Sequence, residues 1–256
     1  MKKGLSGIAL GLMISINSFA QVKIHSHNDY VQKKPFFTAY VNKVDEMEAD
    51  VFFVNDSVLV AHSKKEINPS NTLYSLYLHP IAAAFKKHKN KVSDDKKYTF
   101  SLMIDVKENW NAAFPLLKRE IEKYGNIFKR NKQKKAIQIV ISGSRPNHTT
   151  FNTYPSWLFF DGLPNISYAK NDLKRVTMIS DNFVSYSKWK GIGEIPEEDK
   201  YQLRKVIAKA RELNKPIRFW GAPDTESCWK QLAALGADMI NTDKIAESKK
   251  YFENEF

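Results

Sequence analysis

Polar side chains spaced two residues apart recur inside apolar runs of this sequence. Three pairs have this spacing: His25 with His27, Glu48 with Asp50, and Asp105 with Lys107. Side chains of a β-strand alternate in direction, so residues two apart point to the same face. Each pair therefore predicts a polar group at one end of an otherwise buried strand.

The carboxylates among them predict a cation site. Glu48, Asp50 and Asp105 have apolar neighbours in sequence, and an uncompensated buried charge costs several kcal/mol. A bound divalent cation would supply the counter-charge. Oxygen ligands favour a hard ion, Mg²⁺ or Ca²⁺, over zinc, which prefers imidazoles. The alternative is that Glu48 and Asp50 pair with lysines on a solvated edge.

The histidines predict proton transfer. His62 follows the apolar run 58–61, just beyond the segment that carries Glu48 and Asp50. Together with His25 and His27 it provides imidazoles that can act as base and acid near neutral pH. Phosphodiester cleavage needs both, because a nucleophile loses a proton and the leaving alkoxide gains one. A cation such as Lys107 or Arg145 would stabilise the phosphoryl oxygens, although Arg145 is equally compatible with a surface salt bridge.

The elements that must position these groups alternate between short β-rich runs and amphipathic segments. Eight runs have strand character: 22–27, 46–54, 99–107, 136–142, 157–161, 176–180, 216–220 and 238–242. Helical periodicity is clearest over 81–89, 112–124, 200–213 and 227–235. Eight βα units in one chain predict an α/β fold, a (β/α)₈ TIM barrel. The weak periodicity of 147–175 and 182–196 predicts that the fifth and sixth helices are short or replaced by loops. An open doubly wound sheet is the alternative.

Composition excludes several classes of protein. The chain has 256 residues, 43% of them hydrophobic, and a formal net charge of +12. A disordered chain, a collagen-like fibre and a disulfide scaffold are excluded. Nucleic-acid-binding motifs are missing from the sequence, so we expect no nucleic-acid partner, and the charge fits a phosphate-bearing small molecule, an anionic membrane surface or a solvated lysine-rich face. Cys228, the single cysteine, is expected to be a small buried side chain of a helix.

The first twenty residues have the features of a bacterial signal peptide. Lys2 and Lys3 precede the apolar run 7–16, and Ser18-Phe19-Ala20 resembles a cleavage site without a lipobox cysteine. This pattern predicts an exported protein, periplasmic or secreted, whose residues 21–256 form a single domain. Oligomeric state is left open.

Six segments resemble the phospholipase-C-like phosphodiesterase superfamily, which includes glycerophosphodiester phosphodiesterases and spider-toxin sphingomyelinases. The chain is more narrowly similar to the subgroup named for altered inheritance of mitochondria protein 6. The segments that carry the resemblance are His25–Tyr30, Glu48–Val51, Ala61–Ser63, Thr72–Leu78, Arg218–Asp224 and Asn241–Asp243. The resemblance implies a TIM barrel, a divalent cation and a small-molecule or lipid phosphodiester as substrate.

The resemblance also implies individual roles. Glu48, Asp50 and Asp105 match metal-binding positions, and His62 matches the second catalytic histidine. Lys107 and Trp220 match positions that face the substrate. Either His25 or His27 matches the first catalytic histidine, depending on which branch of the superfamily is aligned. The His-Arg-Gly and Pro-Glu-Asn-Thr patterns of glycerophosphodiesterases are missing, which leaves the substrate headgroup open.

Two other functions compete with a phosphodiesterase. An exported barrel of this kind could bind phosphorylated ligands or lipid headgroups without turnover. The His-x-His pattern formed by His25 and His27 also begins the zinc amidohydrolases, although the strands predicted at 157–161 and 176–180 lack the further histidines that such enzymes use. Within phosphodiester chemistry, both direct hydrolysis and formation of a cyclic phosphate are open.

Overall fold

A computed structural model describes residues 22–255, which form a barrel of parallel strands surrounded by helices. The strands are β1 (Lys23–Ser26), β2 (Glu46–Val54), β3 (Ser57–Val60), β4 (Ser101–Val106), β5 (Gln138–Gly143), β6 (Leu158–Gly162), β7 (Val176–Asn182), β8 (Ile217–Trp220) and β9 (Met239–Thr242). The helices are α1 (Phe37–Val41), α2 (His79–Lys87), α3 (Trp110–Glu122), α4 (Lys170–Leu173), α5 (Glu197–Glu212), α6 (Glu226–Leu235) and α7 (Ile245–Glu255).

The sheet closes on itself. Its order is β1-β9-β8-β7-β6-β5-β4-β2-β3, and β1 also pairs in parallel with β2, with His25 opposite Glu46 and Ser26 opposite Met47. That last pairing converts the sheet into an eight-stranded barrel, with β3 attached outside it. The predicted (β/α)₈ barrel is thus confirmed, and the open doubly wound alternative is excluded.

Strand β3 forms a hairpin with β2. It runs antiparallel to β2, with Val51 opposite Val60 and Val54 opposite Ser57. The turn between them consists of Asn55 and Asp56, whose φ angles are both positive, 48° and 62°. Such a turn suits a tight two-residue hairpin. The hairpin carries the chain back along β2 to the level of Asp50, whose carbonyl accepts from the Ala61 amide, and places His62 there.

The irregular connections lie partly where the sequence predicts them. Residues 147–175 contain a 3₁₀ turn, His148–Thr153, and the four-residue α4. The helix predicted over 200–213 is confirmed as α5, which has 16 residues, so the expectation that the sixth helix is short is wrong and only residues 186–196 before it are irregular. Proline and glycine in 191–196 delay the start of that helix rather than replacing it.

Two apolar layers position the site. The larger lies between the strands and the helices and includes Cys228, which is fully buried in α6 as expected. A smaller one inside the barrel consists of Met103, Val140, Met178 and Met239. Charged side chains lie above this inner layer, toward the C-terminal ends of the strands, where TIM barrels place their functional groups.

Candidate active site

Three carboxylates converge at the C-terminal end of the barrel. Glu48 and Asp50 lie on β2, and Asp105 lies opposite Asp50 on the adjacent β4. One oxygen from each of them lies within 4.8 Å of the others. Asp50 Oδ1 is buried and has no hydrogen-bond partner among the described residues. Three converging carboxylates, one of which has an unpaired oxygen, fit a hard divalent cation.

Positive charge around the cluster balances it only in part. Lys107 Nζ lies 2.6 Å from Asp50 Oδ2 and 3.6 Å from Asp105 Oδ1. Burial would lower the pKa of Lys107, but the carboxylates raise it overall, so the lysine is charged. Burial and the charge of Glu48 raise the pKa of Asp50 against the opposing effect of Lys107. The cluster therefore carries negative charge that a further cation would stabilise.

His25 lies beneath the cluster. Its side chain is fully buried, with Nδ1 2.9 Å from Glu46 Oε2 and Nε2 2.7 Å from Glu48 Oε2. Burial would raise the pKa of Glu48, but the contact with His25 lowers it well below its usual range. His25 thus keeps Glu48 ionised and fixes its orientation. It is not one of the residues that line the cavity described below.

A cavity of about 430 Å³ opens above the carboxylates. Both His27 and His62 line it, together with the predicted substrate-binding residues Lys107, Arg145 and Trp220. All the predicted site residues except His25 therefore lie around one cavity.

His27 follows β1 and lies one layer above His25. Its Nδ1 is 2.8 Å from Asp243 Oδ1, and its side chain is 33% exposed. Burial alone would lower the pKa of His27, but the hydrogen bond to Asp243 and the charge of Glu48 raise it overall. The sequence analysis assigns Asp243 no role beyond its place in a segment that carries the resemblance, whereas the structure places it against this imidazole.

His62 is more accessible, with 61% of its side chain exposed. Its Nδ1 lies 3.3 Å from the Tyr30 hydroxyl and 3.5 Å from Asp50 Oδ2. The Tyr30 hydroxyl in turn donates to Asp50 Oδ2 at 2.8 Å. Tyr30 therefore links the imidazole to the carboxylate cluster, a role that the sequence analysis missed.

Arg218 is a second residue that the sequence analysis missed. It is on β8 and only 3% exposed, and its Nη1 lies 2.5 Å from His25 Nε2 and 3.7 Å from Glu48 Oε2. Its Nη2 lies 3.4 Å from Asp161 Oδ2. The sequence signal that could have revealed it is a charged residue between two apolar ones, Ile217 and Phe219. Side chains of a strand alternate in direction, which places Arg218 inside the barrel.

Gly143 allows β5 to approach the cluster closely. Its φ is +67°, and a Cβ at this position would overlap Asp105 Oδ1 and the carbonyl oxygen of Val106. A larger residue would therefore displace Asp105. This is a position where only glycine satisfies both the backbone and the space.

The cluster contains no histidine. Among residues 22–255, Glu48, Asp50 and Asp105 form the one group of three or more side chains with metal-ligand geometry. His25 is instead held between two glutamates, and His27 contacts Asp243. This donor set does not fit the zinc amidohydrolase alternative, which requires imidazole ligands.

Comparison with known proteins identifies the family. The AIM6-like phosphodiesterase domain matches residues 15–161, which is more than half of the chain. The chain belongs to the AIM6-like phosphodiesterase family. The glycerophosphoryl diester phosphodiesterase family also matches residues 216–246, which contain Arg218, Trp220 and Asp243. The predicted relationship to this superfamily is confirmed, and with it membership of a phosphodiester hydrolase family.

Two fungal relatives cover most of this AIM6-like chain. An altered inheritance of mitochondria protein 6 homolog from Arthroderma benhamiae is 26% identical over 90% of the chain and 84% of its own length. Altered inheritance of mitochondria protein 6 from Lachancea thermotolerans is 25% identical over 88% of the chain and 64% of its own length. Their names describe mitochondrial inheritance and no reaction.

Solved structures share the fold. A glycerophosphodiester phosphodiesterase from Parabacteroides distasonis has a TM-score of 0.55 and 16% identity, covering 92% of this chain and 98% of its own. A second, from Agrobacterium tumefaciens, has a TM-score of 0.53 and 13% identity, covering 91% of this chain and 99% of its own. At these identities the likeness shows the barrel fold.

The predicted compartment is wrong. The matched relatives are fungal and therefore eukaryotic, which contradicts a bacterial signal peptide and export to the periplasm or medium. The positively charged and apolar start of the chain resembled such a peptide by composition alone. Residues 1–20 lie outside the described residues. Across residues 22–255, no helix combines the length and apolar character needed to span a bilayer.

Proposed function

We propose that the chain is a metal-dependent phosphoric diester hydrolase that acts on a glycerophosphodiester- or phospholipid-like substrate. The observation that carries this proposal is the convergence of three carboxylates in one cavity that also contains His27 and His62. Membership of the AIM6-like family supports phosphodiester chemistry. The proposed acid and base are His27 and His62, because both line the cavity, whereas His25 is buried beneath it.

The contacts of the two imidazoles determine which nitrogen faces the substrate. A carboxylate accepts but does not donate, so Nδ1 of His27 carries the proton shared with Asp243. The Tyr30 hydroxyl donates to Asp50, so its oxygen accepts from Nδ1 of His62. Both histidines therefore have Nε2 available for proton transfer. One removes a proton from the nucleophile, and the other protonates the leaving oxygen.

The remaining polar residues suit the substrate phosphate. Lys107 and Arg145 line the cavity on the side of β4 and β5 and would pair with phosphoryl oxygens. Glu48, Asp50 and Asp105 would hold Mg²⁺ or Ca²⁺, which would polarise those oxygens as a Lewis acid. Trp220, 42% exposed at the cavity, offers an aromatic surface to the leaving group or headgroup.

The experiment is a phosphodiester panel assayed with Mg²⁺, with Ca²⁺ and with chelator. Glycerophosphodiesters, lysophospholipids, sphingomyelin and bis(p-nitrophenyl) phosphate cover the proposed substrate classes. We expect turnover that chelator removes and one of the cations restores. Phosphorus NMR of the product separates hydrolysis from a cyclic phosphate. Ligand binding without turnover by folded, metal-loaded protein would reject the enzyme in favour of a binding protein.

A second assay assigns acid and base. An activated leaving group such as nitrophenolate needs no protonation, so the variant that lacks the general acid regains activity on that substrate. The variant that lacks the general base does not. Comparing His27→Ala with His62→Ala on activated and unactivated diesters therefore distinguishes the two roles.

A further inference from the structure

Exposed apolar side chains are concentrated at the catalytic end of the barrel. Six of them lie between the last residue of β1, β6, β7 or β8 and the first turn of the helix that follows, with 37% to 87% of each residue exposed, and Val54 at the end of β2 is a seventh outside this group. We call this set the apolar rim: Val31, Phe37, Leu163, Val184, Ile192 and Trp220. Val31 and Ile192 are 63% and 87% exposed, so their side chains project almost freely.

The apolar rim occupies one arc of the barrel end. Its residues belong to the segments that follow β6, β7, β8 and β1, and the strand order places β9 between β8 and β1. These segments therefore lie on one side of the barrel, interrupted only after β9. The opposite arc, after β2, β4 and β5, carries the polar residues His62, Lys107 and Arg145. Apolar residues thus predominate on one side of the catalytic end and polar residues on the other.

Lysines lie between the apolar residues. Lys33 and Lys34 separate Val31 from Phe37, and Lys188 and Lys190 separate Val184 from Ile192; all four are exposed. Within residues 22–255, none of these lysines pairs with a carboxylate. The nearby acidic groups are already engaged, since Glu194 pairs with Lys200 and Asp243 with His27. The arc therefore presents apolar side chains together with unbalanced positive charge.

The apolar rim is continuous with the active-site cavity. Leu163 and Trp220 belong to the rim and also line the cavity. A surface that covered the rim would consequently lie over the cavity mouth.

We propose that the apolar rim docks on an anionic phospholipid bilayer. Isolated apolar side chains interleaved with lysines match the boundary between headgroups and acyl chains, where apolar tips insert and lysines pair with lipid phosphates. A second copy of the chain fits this surface poorly, because a two-fold contact would place two surfaces with the same positive charge against one another. This inference goes beyond the proposed reaction, because docking requires neither the metal nor turnover.

The test is cosedimentation of the full chain with phosphatidylcholine vesicles, with and without phosphatidylserine. We expect binding that phosphatidylserine strengthens and salt weakens. Ile192→Asp and the double variant Lys33→Glu/Lys34→Glu should each weaken binding about tenfold or more. Ile192 contributes only its carbonyl to the fold, as the acceptor for Trp189 Nε1, so the substitution leaves the fold intact.

Matched controls lie away from the rim. Tyr74→Asp changes an aromatic residue that is 49% exposed and lines a different cavity, beside Asp56 and Glu120. Lys86→Glu/Lys87→Glu makes the same charge change on α2. Both controls should bind vesicles like the unaltered protein.

Three results would overturn the proposal. The first is no binding to either vesicle, and the second is equal loss of binding in the rim and control variants. The third is a self-association that Ile192→Asp abolishes without affecting vesicle binding, which would identify the rim as a contact between copies. Because turnover is not measured, none of these results bears on the phosphodiesterase proposal.

Discussion

His27 and Asp243 meet side chain to side chain, with Nδ1 and Oδ1 2.8 Å apart, although 216 residues separate them in sequence. They lie at the ends of β1 and β9, which are hydrogen-bonded neighbours in the barrel. Closure of the barrel therefore provides the imidazole with its partner. The pairing has the form seen where a carboxylate fixes the tautomer of a catalytic histidine.

This pairing predicts a pH effect. The hydrogen bond to Asp243 is the main influence that raises the pKa of His27 against the lowering effect of burial. Asp243→Asn removes a charge that favours the imidazolium, so the pKa of His27 falls. The limb of the pH profile of kcat/KM that belongs to His27 should move to lower pH. The control is Asp56→Asn, which replaces an exposed carboxylate outside the site by a carboxamide and should leave the pH profile unchanged. An unchanged profile for Asp243→Asn would contradict the proposed role of His27.

Because His62 is accessible, its replacement should lower activity with little effect on stability. We expect His62→Ala to lower kcat by roughly 100- to 10,000-fold, the usual contribution of a general acid or base. Thermal unfolding should change little because most of the side chain is exposed. His79→Ala, which alters an exposed histidine of α2, is the control and should retain activity. Near-normal turnover of His62→Ala would remove His62 from the mechanism.

Metal binding should appear as stabilisation. A ligand that binds only the folded state adds about 2.7 kcal/mol to the free energy of unfolding at a concentration one hundred times its Kd. We expect Mg²⁺ or Ca²⁺ to raise the Tm of the protein and chelator to reverse the rise. Asp105→Asn should lose most of this effect, whereas Asp56→Asn keeps it. A Tm insensitive to both cations would argue against the carboxylate site.

Replacement of His25 should lower the free energy of unfolding more than replacement of His27. His25→Ala leaves Glu46 and Glu48 buried without their shared hydrogen-bond partner, and a buried polar group left without its partner costs about 1–3 kcal/mol, more if it is charged. His27→Ala removes a partly exposed side chain, and we expect a cost of about 1 kcal/mol or less. Urea denaturation measures both. Equal stability of the two variants would mean that His25 does not have the supporting role inferred for it.

Cys228 provides a probe of unfolding. Burial raises the pKa of its thiol to about 12, so the reactive thiolate is scarce at pH 8. We expect native protein to resist iodoacetamide and urea-unfolded protein to react rapidly. Modification of one thiol by native protein at the rate of a free cysteine would contradict this burial.

The strands were the most predictable part of the fold. Strand β2 has the predicted bounds, 46–54, because acidic and apolar residues alternate over 46–51 and an apolar run continues to 54, a pattern typical of a strand. Helix α1 was missed because its five residues are too few to show periodicity. Strand β3 has only four residues, and the signal that could have revealed it was the Asn55-Asp56 pair, a combination suited to a tight turn.

The carboxylates were predictable as a group, because the register of parallel strands places the ends of β2 and β4 side by side. The choice between His25 and His27 was not predictable, since both point inward and only their depth in the barrel distinguishes them. Arg218 was not predicted for a related reason. Its contacts come from β1, β2 and β6, and no local pattern encodes partners so distant in sequence.

Because of the hairpin formed by β2 and β3, the two proposed proton-transfer groups, His27 and His62, are held by different parts of the fold. His27 is fixed to the barrel wall, whereas His62 stands at the foot of a side hairpin whose length is independent of barrel closure. Val60 pairs with Val51 and the Ala61 amide donates to the Asp50 carbonyl, so the level of His62 is set at the barrel end of the hairpin and not at its turn. The 55–56 turn is therefore a place where the chain can be lengthened or shortened while both imidazoles keep their spacing.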